Sequence, residues 1–354
     1  MHPGNACMKL LPFDPGMAPP AEWAAFHAFR RARAEEDDPG EPVLSDAEFE
    51  HDTRRQWPSW ENRRVVAVVA REIVGSVGLG FRRQGTEDYA DFAPFLRVWG
   101  GVRRDRRRQG IGTALLRPVL AFMRERGKTV ATLSVHQPEG YAFLSAIGAV
   151  QKQLEVENRL PLAGLDWIRL AGWEAAVPPG LQWEVHAGRV PIDRLAALIP
   201  TFTTLVGDAP MGDLESAPNR YDLQGYVTGY QEADRDGGEH LLVMLIDGDV
   251  VAGMCEGWWD ARMPDRVYQF LTAVARSWRG QGLAKALKVR MLRLVREQQP
   301  GVALMTTYNA QSNAPMLSIN ARLGFVQHKQ VGTYQIGPDA LARWLASRTP
   351  PPSG

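Results

Sequence analysis

A chain of 354 residues, 45% hydrophobic and 23% charged, has the length of two domains of ordinary globular composition, which excludes disorder on a domain scale. Lys and Arg number 41 against 40 Asp and Glu, a formal charge of +1 that excludes a generally basic coat for nucleic acid. Cys7 and Cys255 are the only cysteines, too few for a disulfide framework or a zinc finger and suited to a reducing compartment. Along the chain, the first 20 residues carry prolines where a signal peptide needs an unbroken apolar stretch. The longest apolar runs, 65–70 and 241–246, have strand length, well short of the about 20 residues of a membrane helix. A cytoplasmic protein without membrane association is expected. Residues 35–42, acidic and then Pro/Gly-rich, predict a surface loop. Residues 65–70 and 73–79 predict a hairpin turning at Arg71-Glu72, and 111–126 an amphipathic helix. Val-Pro-Pro-Gly within 171–180 marks a join before a fresh strand at 181–185. A second loop is expected over 208–218, and a second hairpin over 241–255 around Asp247-Gly248. A second amphipathic helix follows over 283–298, and a frayed tail over 348–354.

The second half repeats the first. Val274 lies 172 residues after Val102, Arg279 172 after Arg107 and Gly282 172 after Gly110. Downstream, Ile147-Gly-Ala-Val150 answers Leu323-Gly-Phe-Val326 at a spacing of 176, so a short insertion lies between. Two copies of one domain, 1–172 and 173–354, account for this pattern. Each copy reads strand, helical region, hairpin, strand, helix, strand, helix, strand, a mixed α/β layer.

The chemistry sits in the repeated loop. The first amide N–H groups of a helix lack intrahelical partners and form its positive end. In Arg279-Gly-Gln-Gly-Leu-Ala284, Gly282 and Ala284 let a diphosphate approach those groups, and Arg279 adds charge and a planar donor fork. The first copy repeats this in Arg107-Arg-Gln-Gly110-Ile-Gly112. A P-loop would need Gly-Lys-Ser/Thr, and a dinucleotide fingerprint a third glycine; neither is present.

The pattern Val-x-x-x-x-Arg-x-x-Gly-x-Gly/Ala between strand and helix resembles the acetyl-CoA signature of the GNAT N-acetyltransferase superfamily. The second copy also resembles it in Thr307-Tyr-Asn309, Asn313, Met316, Asn320 and Leu323-Gly-Phe325. The tandem layout is similar to that of mycothiol synthase. The resemblance implies an α+β mixed sheet in each of two GNAT-like domains and direct transfer of acetyl from acetyl-CoA to an amine of a small molecule or peptide. It further implies that Arg107, Arg108, Gln109, Gly110, Ile111, Gly112 and Thr113 in one copy hold the CoA pyrophosphate. In the other, Arg279, Gly280, Gln281, Gly282, Leu283, Ala284 and Lys285 do so. Val102, Thr272 and Val274 would pair with the pantetheine arm, and Asn309 and Asn313 would add side-chain hydrogen bonds. Backbone N–H at Val274 is the implied donor to the thioester carbonyl.

No acyl-enzyme route is visible: Cys255 has no His nearby in sequence, and there is no Gly-x-Ser-x-Gly elbow. Where many relatives place an acidic Tyr, the second copy has Asn320 and the first Leu144. Asn320 would orient a donor or water, and the acid stays unassigned. Glu256 and Asp208 are candidate bases, each with a plainer reading as an edge carboxylate or a turn residue. The seven histidines show no metal-ligand spacing, so no metal is expected. The arginines at 103, 104 and 106–108 leave a nucleic-acid role as a lesser alternative, beside a CoA-binding regulator without catalysis. The second copy, which alone keeps the Asn set and Gly324-Phe325, is expected to carry turnover.

Overall fold

The computed structural model describes residues 8–55 and 57–348. Cys7, His2 and the tail from residue 349 lie outside the described residues. The first repeat runs β1 (Lys9–Pro12), α1 (Pro20–Asp37), α2 (Asp46–Arg54), β2 (Trp60–Val69), β3 (Glu72–Arg82), α3 (Tyr89–Phe92), β4 (Phe95–Val102), α4 (Ile111–Glu125), β5 (Val130–Val135), α5 (Pro138–Ala146) and β6 (Val150–Pro161). A linking helix, α6 (Trp167–Ala175), occupies the start of the expected join. The second repeat runs β7 (Gln182–Gly188), α7 (Ile192–Gly207), α8 (Leu223–Asp236), β8 (Gly238–Asp247), β9 (Val250–Asp260), β10 (Arg266–Val274), α9 (Leu283–Gln298), β11 (Leu304–Ala310), α10 (Ala314–Leu323) and β12 (Val326–Ile336). The helix α11 (Pro338–Ala346) closes the described chain. Val102 and Val274 end equivalent strands. The expected loop over 35–42 begins later than its composition suggests, because residues 35–37 form the last turn of α1.

The chain divides into two compact units. One comprises the chain up to Gln153 with Asp213–Ala217 and the segment from Gly332; the other comprises Leu154–Gly212 and Pro218–Val331. The units therefore cut across the repeats: each takes its sixth strand largely from the other repeat. In the first unit, Gly332–Ile336 of β12 lie antiparallel to Ala131–Val135 of β5. In the second, residues 155–161 of β6 lie antiparallel to β11, from Glu155↔Ala310 to Pro161↔Leu304. The remaining order is β1-β2-β3-β4-β5 in the first unit and β11-β10-β9-β8-β7 in the second.

Each unit has its own core. Leu283, Leu287, Met291 and Val295 recur along one face of α9 and are fully buried with Val243, Ala252 and Val267 of the sheet. Leu115, Val119 and Phe122 of α4 play that part in the first unit. Burying each such side chain contributes roughly 1.5–3 kcal/mol, which clamps the helix and so the loop before it. Across the other face of the second sheet, α7 and α8 pack Leu198, Phe202 and Tyr230 on Leu242, Met244 and Met254.

In both units two parallel strands part as they reach that loop. Pairing of β10 with β11 stops at Gln269↔Thr307, although the strands continue to Val274 and Ala310. Pairing of β4 with β5 stops at Val98↔Leu133. Only in the second unit does the fourth strand also slip against its antiparallel neighbour, the register of β10 on β9 shifting between Gln269 and Thr272. The equivalent β3–β4 pairing runs from Gly80↔Arg97 to Gly75↔Val102 without a shift.

Candidate active site

At the head of α9, Gly282 has φ +80° and no side chain caps the helix, which leaves its first N–H groups turned toward the loop. Gly280 sits at φ +81°, while its counterpart in the first unit, Arg108, holds φ +63°. A left-handed conformation costs a non-glycine residue roughly 1–2 kcal/mol, so the first loop keeps the same turn under strain. Gly110 at φ +79° opens α4 in the same uncapped way.

Each loop arginine is anchored to its strand end. Arg279 Nε donates to the Val274 carbonyl at 3.1 Å and Arg107 Nε to that of Val102 at 3.2 Å. Arg279 Nη2 reaches Asp208 at 2.6 Å, and Arg276 Nε reaches the same carboxylate at 3.1 Å. The Arg276 hydrogen bonds, then the charge of both arginines, hold Asp208 below the usual carboxylate range. Asp208, a candidate base on sequence grounds, is thus engaged as the counter-ion of the loop. At the start of α9, Trp173, Val177, Gln281, Gly282 and Lys285 line a cavity of about 80 Å³, with the Lys285 ammonium 5.3 Å from the Trp173 ring.

Asn309 lies on β11 past its last pair with β10, and Asn313 and Asn320 belong to the helix that follows. Asn320 is buried and donates to Asn309 Oδ1 at 2.6 Å, while its own Oδ1 is buried without a hydrogen bond. Asn313 caps α10 by accepting from the Met316 N–H at 3.3 Å. Thr272 Oγ1 lies 3.3 Å from Cys255 Sγ, which also receives Gln269 Nε2 at 3.0 Å. Lys288 of α9 is buried, donates to Gln269 Oε1 and lies 5.2 Å from the Phe325 ring.

Burial pushes the Lys288 ammonium down to about 8. Between that value and the ordinary 10.5 the unfolded chain holds a proton that the folded chain does not, so stability rises with pH through this window and the group is destabilising below it. Lys288→Met is therefore expected to raise the urea midpoint at pH 7, and the gap between variant and parent to close by about pH 10. A variant less stable than the parent at pH 7, or a gap that does not change with pH, would contradict this account.

Toward α7 and α8 the sheet presents a different cluster. Glu256 lies on β9, between the residues paired with Gln269 and Thr272, and so faces the slipped stretch of β10. Its carboxylate is buried and accepts from Tyr221 at 2.8 Å, Tyr226 at 2.7 Å and His240 Nε2 at 3.0 Å. The Val190 N–H donates to the Tyr230 hydroxyl at 3.2 Å, and that hydroxyl lies 2.9 Å from His240 Nδ1. With the hydroxyl donating to Nδ1, the proton of the ring is directed at Glu256 through Nε2. Burial acts to raise the Glu256 carboxyl, but His240 and the tyrosine hydroxyls outweigh it and hold it below its ordinary value. Burial first, then the charge of Glu256, pushes both tyrosines up, so they remain protonated donors. Tyr308, the first residue past the last β10–β11 pair, is half-exposed and donates to the buried Glu157 at 2.7 Å.

The first unit has none of this set at the matching positions: Leu144 replaces Asn320, and His136 and Gln137 follow β5. Its arginine run is locally neutralised. Arg103 meets Asp105 at 2.8 Å and Glu72 at 3.4 Å, Arg106 meets Asp105 at 3.5 Å, and Arg107 meets Glu139 at 3.7 Å. Gln109 Nε2 turns to the Asp105 carbonyl at 3.4 Å. Sequence reading missed Tyr221, Tyr226, His240 and Glu157; a Tyr spacing of four at 226 and 230 was the visible trace. Among the described residues no group of three His, Cys, Asp or Glu is placed to hold a metal ion, and no helix is long and apolar enough to cross a membrane.

The acetyltransferase (GNAT) family profile matches twice, over residues 26–143 and 208–325. No curated protein matches the sequence significantly. Among solved structures, the chain is similar to a tandem GNAT protein from the clavulanic acid biosynthesis pathway, with 22% identity, TM-score 0.71, and 94% of this chain and 98% of that one covered. It is also similar to a GCN5-related N-acetyltransferase from Sphaerobacter thermophilus, with 17% identity, TM-score 0.61, and 94% and 96% covered. At these identities the likeness is one of fold. The twice-matched profile, with two like units that each part their strands at an uncapped helix, makes this chain a tandem member of the acetyltransferase (GNAT) family.

Proposed function

We propose that the second unit transfers acetyl from acetyl-CoA directly to a primary amine of a small molecule or peptide. The observation that carries this reading is Glu256, a buried carboxylate with three fixed donors that faces the slipped strand beside the phosphate loop. The loop fits the ligand: α9 begins uncapped, Gly282 keeps its amides accessible, and Arg279 and Lys285 supply cationic groups. In this reading Arg279 and the backbone of Gly280 to Lys285 hold the diphosphate, the edges at Thr272 and Val274 hold the pantetheine arm, and Asn320 orients Asn309 beside it. Asn313 serves by capping the helix that carries Asn320. When bound, acetyl-CoA supplies an activated acetyl thioester.

The residues of the chain manage the proton. An amine attacks only when neutral, so a group on the acceptor side must take its proton. Tyr221 and Tyr226 are partly accessible, and each hydroxyl oxygen can receive a proton while passing its own to Glu256. His240, fixed by Tyr230, keeps the carboxylate aimed. The test is thiol release from acetyl-CoA across a panel of antibiotics, polyamines, amino acids and N-terminal peptides, with mass spectrometry of the product. Thiol release with an N-acetylated product is expected, and activity is expected to survive a chelator. CoA binding without turnover on any amine would favour a regulatory role; loss in chelator, restored by a divalent ion, would count against this mechanism.

A further inference from the structure

In both repeats the first helix ends on an acid. Glu36 lies in the last turn of α1 and Asp208 directly follows α7 as its C-cap, separated by the 172 residues of the repeat, and neither last turn carries a basic residue. A carboxylate there faces the negative end of the helix dipole, a local conflict that needs an outside partner. That partner is the phosphate loop. Asp208 takes Arg276 and Arg279. In the first unit both oxygens of Glu36 accept the Arg104 backbone N–H, at 3.0 and 2.9 Å, and the Arg104 guanidinium donates to the Glu36 carbonyl at 3.1 Å.

The first unit then adds contacts that the second cannot form. Arg33 donates to the Val102 carbonyl at 3.0 Å and pairs with Asp37. Its guanidinium lies against Gly101, where a Cβ would come within 2.7 Å of it. Beyond β5, Gln137 donates to the Asp37 carbonyl, and His136 Nε2 lies 3.4 Å from the Asp38 carboxylate. Val102 ends β4 and His136 follows β5, so the end of α1 ties together the two strand ends that part there. Asp37 Oδ1 is buried without a hydrogen bond. One repeat length on, Leu205 stands for Arg33, Ala209 for Asp37 and Ala273 for Gly101, leaving neither the guanidinium nor the space for it.

We propose that the first unit is closed to CoA by its own chain: Arg33 on the Val102 carbonyl, its partner Asp37, and Gln137 on the Asp37 carbonyl tie the end of α1 across the parted ends of β4 and β5, a tie that the second unit lacks, so the protein holds a single CoA, in the second unit. The turn at Gly110 and the uncapped start of α4 persist, which makes this a closed site rather than a lost one. It is independent of which amine is acetylated and of which residue takes the proton.

The test is calorimetric titration of the full chain with CoA. A single equivalent is expected for the parent, and none for Arg279→Glu over the same concentration range. Arg33→Leu with Asp37→Ala, the residues of the second unit, should bring the stoichiometry to two, and should restore one equivalent in the Arg279→Glu background. Two equivalents of like affinity in the parent, undiminished binding by Arg279→Glu, or a folded Arg33→Leu/Asp37→Ala protein that still takes only one would each overturn the proposal. Should that variant not fold, hydrogen exchange on the parent decides: CoA should slow residues 276–286 and leave 104–113 unchanged, and equal protection of both would refute closure. One CoA bound with no amine acetylated would end the proposed function and leave this inference standing.

Discussion

Glu256→Gln is expected to lower kcat/KM for the acceptor by roughly a hundredfold to ten-thousandfold, the usual contribution of a positioned general base. The substitution keeps size and burial while removing the group that takes the proton. Tyr226 and His240 both donate to Oε1, and the Gln carbonyl can occupy that place; only the Tyr221 hydroxyl must turn to meet an amide N–H. Folding should therefore survive, and the loss should appear in rate. Tyr221→Phe and Tyr226→Phe should each cost less than Glu256→Gln, since either hydroxyl leaves the other as a route. The carboxyl is held below its ordinary 4.5 in the folded chain, so its stabilising contribution is present above that pH and is lost as pH falls through the depressed value. Thermal midpoints of parent and Glu256→Gln should therefore converge on acidification below about pH 4. Activity of the variant within a few-fold of the parent would remove Glu256 from the proton path.

Charge reversal at the two loops should give opposite results. Arg279→Glu is expected to reduce kcat/KM for acetyl-CoA by on the order of a hundredfold or more, because it places a second carboxylate beside Asp208 at the proposed diphosphate site. It also removes the hydrogen bond that ties the loop to the Val274 carbonyl. Arg107→Glu faces Glu36 and Asp37, at 3.8 and 3.9 Å from the present guanidinium, and should leave turnover within about threefold. Initial rates for both variants, with circular dichroism to establish folding, decide the matter. Should Arg107→Glu be the more damaging change in a folded chain, the active half is the first.

Much of this molecule was legible because the informative features are local. The repeat spacing of 172, the hairpin, which turns at Gly248-Asp249 one residue past the expected Asp247-Gly248, and the glycines that open α4 and α9 all express constraints that a residue and its near neighbours carry themselves: left-handed backbone, helix-end amides, apolar periodicity. They determined the tandem plan, the mixed sheets and the place of the repeated glycine loops. Three things lay beyond sequence. The end of α1 reads as loop in the sequence because it is acidic and runs into Pro and Gly, whereas in the fold Arg33 of the same helix and Arg104, 68 residues away, meet its acids. Asp208 and Glu256 looked alike as carboxylates near element ends, yet one meets two arginines from the loop and the other meets Tyr221, Tyr226 and His240 from a loop, a helix and a strand. The partners of β6 and β12 were undetermined as well, since two repeats of one pattern offer each last strand two equivalent edges, and a strand's side-chain alternation says which face is buried but not which neighbour it joins. Hydrogen-bond donors and strand edges are supplied by distant residues, so the tertiary structure alone decided which carboxylate is a counter-ion, which is held by two tyrosines and a histidine, and which strand completes each sheet.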